Sequence, residues 1–176
     1  MQQVQNKSLL LLWTAGEKLN KYVPHQYRLI NGYGPTEYTG CTTRYEVACI
    51  EENIPIGRPL GNTWIYIVDG DLNLQPLGVP GELCIAGAQI ALGYLNIVDQ
   101  TRERFINNPY SDSRFNQILY KTGDIAKWLE NGNLEYIGRV DDQVKIRGFR
   151  VELAEIEQVV NSISQINEAV VLAKAD

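Results

Sequence analysis

The seven residues Asn31 to Glu37 (Asn-Gly-Tyr-Gly-Pro-Thr-Glu) hold the densest chemistry in the chain. Gly32 and Gly34 let backbone approach a flat ligand with no β-carbon in the way. Tyr33 offers a ring face on which a purine can stack, a contact worth roughly 1–3 kcal/mol per base in nucleic-acid complexes. Asn31 presents a donor and an acceptor to a purine edge. Thr36 offers a hydroxyl to a phosphate, and Glu37 a hard oxygen suited to a magnesium ion shared with phosphates. Gly-Tyr-Gly by itself reads first as a glycine-rich turn around a structural tyrosine. The full seven, following a strand, favour a ligand loop.

A second group lies further on. Thr122-Gly-Asp124 follows a strand, and a carboxylate at a strand end can accept hydrogen bonds from both vicinal hydroxyls of a ribose. Taken alone the pattern is weak, and an aspartate in a turn is its plain alternative. Tyr136 can form a second wall of a purine pocket, and Arg139 can reach ribose or phosphate; singly, each reads as an ordinary strand residue. From Gly138 to Glu157 a basic, glycine-broken turn runs into a helix start. The stretch Gly81 to Tyr94 lacks GxGxxG spacing, and no helix-forming pattern follows it, so a dinucleotide-binding reading fails. It reads as structural: a strand, then a tight glycine-rich turn. There is no Walker A pattern and no Ser/Thr/Gly-rich loop ending in lysine.

Composition narrows the classes. His25 is the only histidine, which disfavours His–Cys, His–Ser and multi-histidine metal chemistry. Cys41, Cys49 and Cys84 are odd in number and form no CxxC pair, as expected of reduced thiols. A net charge of -5 argues against nucleic-acid binding and against a polybasic membrane surface. The apolar run Leu9 to Trp13 is too short for a signal peptide or a membrane span. A soluble, cytoplasmic protein is expected. At 176 residues the chain can bury one core, or one core and a fragment of another.

Positioning these groups requires several elements. Ser8 to Thr14 reads as a buried strand and Tyr27 to Ile30 as a second, which Asn-Gly-Tyr-Gly-Pro should end. After Ile54 the chain reads as a small irregular β-rich unit or barrel. Its strands are Trp64 to Val68 and Gly81 to Ala86, followed by a hairpin of Lys127 to Leu129 and Leu134 to Ile137 around Asn131-Gly132. That hairpin should bring Tyr136 toward Tyr33. A strand at Gln143 to Ile146 precedes a helix with Leu153, Ile156, Val160 and Ile163 on one face. Glu152, Glu155 and Glu157 crowd its start, where the dipole favours them. Glu168 to Ala173 reads as a final strand.

In this order the motifs resemble the adenylation domain of nonribosomal peptide synthetases, within the AMP-binding, adenylate-forming ANL superfamily. Trp13-Thr-Ala-Gly-Glu17 looks like the family's small glycine motif, Asn31 to Glu37 its adenine loop, and Gly81 to Tyr94 its structural core motif. Tyr120 to Asp124 looks like the ribose motif, and Gly138 to Glu157 the hinge and swinging loop. The implied fold is mixed α/β. Residues 1–140 would be the C-terminal portion of the large adenylate-forming core with a distorted β-barrel, and residues 141–176 the start of a small α+β C-terminal subdomain.

The resemblance implies ATP or AMP and Mg2+ as cofactors. The acceptor would be the phosphopantetheine thiol of a peptidyl carrier protein, and the substrate a small carboxylic or amino acid. Asn31 and Tyr33 would hold adenine, Thr36 the α-phosphate, Glu37 the metal and Asp124 the ribose, with Tyr136 and Arg139 nearby. Asp141 would be the hinge, and Lys145 would face the active site in the thioester-forming state. Trp13, Ala15, Gly32, Gly40 and Cys41 would line the acid's side-chain pocket. None of these five is charged, so an apolar, even aromatic, acid is expected, unless Trp13 fills the space the glycines open.

The family's phosphate-gripping loop, its aspartate for a substrate amino group and its catalytic lysine have no counterpart in the sequence. The remainder of an adenylation domain is therefore an implied partner, and the chain alone is expected to be inactive. Two other readings stand beside this one: an acyl-CoA ligase of the same superfamily, and a catalytically incompetent fragment that only binds.

Overall fold

The computed structural model describes residues 8–19, 26–49, 53–141, 143–146 and 149–173. A first sheet holds β1 (Leu11–Thr14), β2 (Arg28–Tyr33), β3 (Thr43–Val47) and β4 (Arg58–Pro59) in that spatial order, with β1 parallel to β2 and the others antiparallel. A 3-10 turn, Thr36–Tyr38, joins β2 to β3. The second sheet contains β5 (Thr63–Val68), β6 (Gly81–Gly87), β7 (Phe105–Asn107), β8 (Ile118–Trp128) and β9 (Leu134–Arg139). Its long strand β8 pairs with β6 along one side and with β7 and then β9 along the other. Helix α1 (Val98–Arg104) precedes β7. A short hairpin, β10 (Val144–Ile146) and β11 (Phe149–Val151), leads to helix α2 (Leu153–Asn161).

One buried cluster fastens the two larger sheets together. Tyr33, Tyr38 and Ile56 from the first half meet Ile67, Leu83, Ile85, Tyr120, Ala126 and Leu134 from the second. Burying these side chains from both sheets supplies the main driving force for their union. A backbone exchange reinforces it: Ile56 N–H donates to the Leu134 carbonyl, and Leu134 N–H to the Gly57 carbonyl, both at 2.8 Å. The β-rich unit and the Asn131-Gly132 hairpin form as expected, with Gly132 at φ 76° in a loop that closes where Trp128 pairs with Leu134.

Four local expectations are corrected. Asn31, Gly32 and Tyr33 do not end β2 but continue it, paired with Tyr45, Arg44 and Thr43 of β3. Gly32 takes no positive φ, and a ladder on both sides overrides its freedom. The strand within Ser8–Thr14 begins only at Leu11, and its first three residues are exposed. It is an edge strand with β2 as its ladder partner, so an apolar composition does not bury it. Glu168 to Ala173 forms no strand, because no described segment offers it a ladder; instead the Val171 N–H donates to Glu157 Oε1 at 2.8 Å. A short helix, α1, does follow the Gly81–Tyr94 stretch, but an irregular loop separates it from β6, so no strand–turn–helix unit results.

Candidate functional site

A cleft of ≈ 720 Å³ opens where β2, β9 and α2 approach one another. Asn31, Gly32, Tyr33 and Gly34 line one side, Tyr136, Arg139 and Asp141 another, and Leu153, Glu157 and Val170 a third. The Tyr33 and Tyr136 rings lie 6.3 Å apart between centroids, tilted by 37°. The expected approach of these two tyrosines is therefore present.

Below them runs a chain of charge-assisted bonds. The Tyr33 hydroxyl donates to Asp124 Oδ2 at 2.5 Å, and Arg139 Nη1 donates to Asp124 Oδ1 at 2.8 Å. Arg139 also grips Asp141 with Nε and Nη2, at 2.6 and 2.8 Å, and Arg104 Nη2 stands 3.5 Å from the same carboxylate. Asp124 is only 3% exposed and touches the cleft through these partners. Asp124 does not stand at a strand end, as expected, but within β8, where a bulge presents it: Cys84 pairs with Lys121 and Glu82 with Ile125, so Thr122, Gly123 and Asp124 oppose Leu83 alone. Gly123 sits at φ 73°, and a β-carbon there would come 2.8 Å from Arg139 Nη2. The Thr122 hydroxyl pins the bulge, donating to the Leu83 carbonyl at 2.6 Å and accepting from Asp124 N–H at 2.9 Å.

The electrostatics follow from this packing. Burial, then the charge of Asp124 and the bond to it, drive the Tyr33 phenol well above its ordinary range. Burial and the Asp124 charge push Tyr136 up to about 12. Burial alone would lower Arg139, but its bonds to Asp141 and the Asp124 charge outweigh that and raise it. Burial would raise Asp141, but the bonds and charge of Arg139, helped by the Gln143 N–H and Arg104, hold the carboxyl below its usual range.

Of the other expected site residues, Asn31 and Gly32 line the cleft, whereas Thr36, Glu37, Trp13, Ala15, Gly40 and Cys41 do not. Thr36 is exposed on the 3-10 turn, and Glu37, 6% exposed, accepts a 2.7 Å hydrogen bond from the Tyr94 hydroxyl at Oε1. Asn31 donates its amide to the Pro55 carbonyl at 2.8 Å, so part of its purine-reading capacity is used within the fold. Trp13, 44% exposed, lays its indole over Gly32, where a β-carbon would come 2.2 Å from Nε1. Trp13 thus takes the volume that the glycine opens. Gly40 faces open space at φ 80°, Cys41 is half-buried, and Ala15 is exposed; none of the three lines the cleft. Lys145 is on β10, its side chain lies outside the described residues, and so do residues 147–148 of the turn that follows.

Sequence reasoning missed Tyr94, Tyr120 and Arg104. The Tyr94 hydroxyl stands 3.4 Å from that of Tyr120, and Phe105 contacts both rings at 5.5 and 4.9 Å. The signal available was the tyrosine closing the glycine-rich stretch that reads as purely structural.

A family model described as AMP-binding enzyme matches residues 1–95. The chain is 47% identical to bacitracin synthase 1 of Bacillus licheniformis over 173 residues, covering 98% of this chain and 3% of that protein. It is 45% identical to surfactin synthase subunit 2 of Bacillus subtilis (strain 168), covering 99% of this chain and 5% of that one. The solved structure of PA1221, an NRPS protein containing adenylation and PCP domains, superposes with a TM-score of 0.83 at 34% identity, over 97% of this chain and 36% of that one. The chain thus spans a small part of the length of these relatives. No helix among the described residues is long and apolar enough to cross a membrane.

Proposed function

We propose, from the premise that this chain belongs to the AMP-binding enzyme family, that it is part of an ATP-dependent adenylation domain of a nonribosomal peptide synthetase. In this reading a carboxylic or amino acid attacks the α-phosphate of ATP, and pyrophosphate leaves. The acyl-adenylate then passes to the phosphopantetheine thiol of a peptidyl carrier protein. The single observation that carries the reading is the cleft in which Tyr33 and Tyr136 face each other above Asp124 and Arg139. Likeness to synthases of bacitracin and surfactin, and to a protein with adenylation and PCP domains, supports the carrier-protein acceptor.

The first step needs no enzyme nucleophile, only positioning and charge neutralisation. Asn31, Tyr33 and Tyr136 hold the adenine, Asp124 and Arg139 the ribose, and Thr36 a phosphate oxygen. A ribose reaching Asp124 exchanges its hydroxyls for the bonds now made by Tyr33 and Arg139. The donor set suits magnesium: Glu37 is a carboxylate held by a phenol, and the Thr36 hydroxyl beside it is exposed. Bound with ATP there, the ion would neutralise phosphate charge. Residues 1–140 belong to the large core and residues 141–176 begin the small subdomain, with Asp141 as the hinge and Lys145 turned to the site in the thioester-forming state.

Pyrophosphate exchange with a panel of acids, run on the complete adenylating protein, tests this reading. Acid-dependent exchange supports it, and its absence with every acid sinks it. Thioester formation on a carrier protein against free CoA separates the synthetase from an acyl-CoA ligase. Exchange by the 176-residue chain alone is expected to be absent.

A further inference from the structure

We propose that Tyr94 is a positioning residue for Glu37, and that the glycine-rich stretch ending at Tyr94 serves to set the carboxylate of the Thr36–Tyr38 turn. The inference rests on the metal-binding role proposed for Glu37 above and adds a residue that acts through it. Backbone bonds first dock the turn on that stretch. Ala91 N–H donates to the Glu37 carbonyl at 2.8 Å, and Thr39 Oγ1 donates to the Gln89 carbonyl at 2.8 Å. The Tyr38 hydroxyl packs so closely on Gly87 that a β-carbon there would come within 2.2 Å of it. These contacts suffice to hold a structural turn.

The Tyr94 phenol does something further: it donates to the carboxylate itself, at 2.7 Å. Tyr94 is fixed at both ends. Its backbone N–H donates to Thr101 Oγ1 on α1 at 2.9 Å, and its ring meets Phe105 edge-on at 5.5 Å. A glutamate side chain has three rotatable bonds, and a bond from a ring anchored in this way selects one arrangement. Hydrogen bonds from outside the metal's own ligands orient ligating carboxylates, and their loss typically weakens metal affinity about 10–100-fold. The same stretch therefore carries the site's geometry as well as the fold.

The test titrates Mn2+ by electron paramagnetic resonance against the complete adenylating protein in the presence of ATP, beside ATP binding measured in EDTA. Tyr94→Phe keeps the ring and removes the donor. It is expected to weaken Mn2+ binding about ten-fold, with ATP binding in EDTA unchanged. Thr101→Ala, which loosens Tyr94 without altering it, should shift Mn2+ binding the same way by less, and it decides the question if Tyr94→Phe does not fold. Wild-type Mn2+ affinity in Tyr94→Phe, with weakened affinity in Glu37→Gln, overturns the positioning role alone. Unchanged affinity in Glu37→Gln overturns the metal role and the inference built on it. Equal loss of Mn2+ and of metal-free ATP binding in Tyr94→Phe shows a structural role only and overturns the proposal.

Discussion

Asp124 and Arg139 face each other in register across β8 and β9 and are joined by a 2.8 Å hydrogen bond between largely buried side chains. Each also has a second partner, Tyr33 for Asp124 and Asp141 for Arg139, so removing one weakens the network without leaving the other charge unpaired. Asp124→Ala should cost roughly 2–3 kcal/mol by deleting hydrogen bonds to a charged group. It should also weaken ATP binding in the complete protein. Calorimetric melting and nucleotide titration check both; an unchanged melting temperature and unchanged affinity would leave Asp124 with neither role.

Tyr136 gives an alkaline signature. Its phenol is pushed up from the ordinary value of 10.0 to about 12, so the folded state binds the proton more tightly than the unfolded chain. The resulting stability is fully present below pH 10 and is lost as pH rises through about 12. Denaturant unfolding across that window should fall off less steeply in Tyr136→Phe than in the wild type. Identical slopes would count against the shift.

Asp141 acts at the other end of the scale. Its carboxyl is held below the ordinary value of 3.8, so its contribution is present above that value and disappears as pH falls through the lower folded one. Asp141→Asn should lose less stability than the wild type on acidification below about pH 4. As the proposed hinge it makes a second demand: in the complete protein, Asp141→Pro should slow thioester formation more than adenylation. Equal effects on the two half-reactions would remove the hinge.

Gly32→Ala places a methyl group against the Trp13 indole. Since Trp13 is half in solvent, it should swing outward, at a cost of about 1–3 kcal/mol for the crowded contact. Tryptophan emission should shift to the red in Gly32→Ala and stay unshifted when Trp13 is already Phe. An emission spectrum insensitive to Gly32→Ala would show that the indole does not rest there.

Local turn chemistry was the most legible part of this chain. Asn131-Gly132 announced the β8–β9 hairpin, and the hairpin brought Tyr136 toward Tyr33. What escaped was set by partners distant in sequence. Whether Asn31-Gly-Tyr33 stays extended depends on β3, and whether Leu11 and Leu12 are buried depends on what lies over an edge strand. Glu168 to Ala173 has a strand's composition but no ladder. The Tyr33–Asp124 bond spans 91 positions, and neither residue's neighbours disclose it. Tyr94 was hidden differently: its stretch looked architectural because its glycines are, and its chemistry lies in one hydroxyl.

The bulge at Thr122–Asp124 makes β8 a place where the chain must keep count. Tyr120 is locked to Ile85 before it, and Ile125 to Glu82 after it. The interval between those locks holds a fixed number of residues, so one residue lost or gained there cannot slide away along the strand. It would instead turn an isoleucine or a glycine toward Tyr33 where a carboxylate now stands. The five-residue link from Leu129 to Asn133, exposed at Glu130 and Asn131, lies beyond the last paired residues and has no such bookkeeping. Among descendants of this chain, changes in length should therefore accumulate in that link and be purged from the bulge.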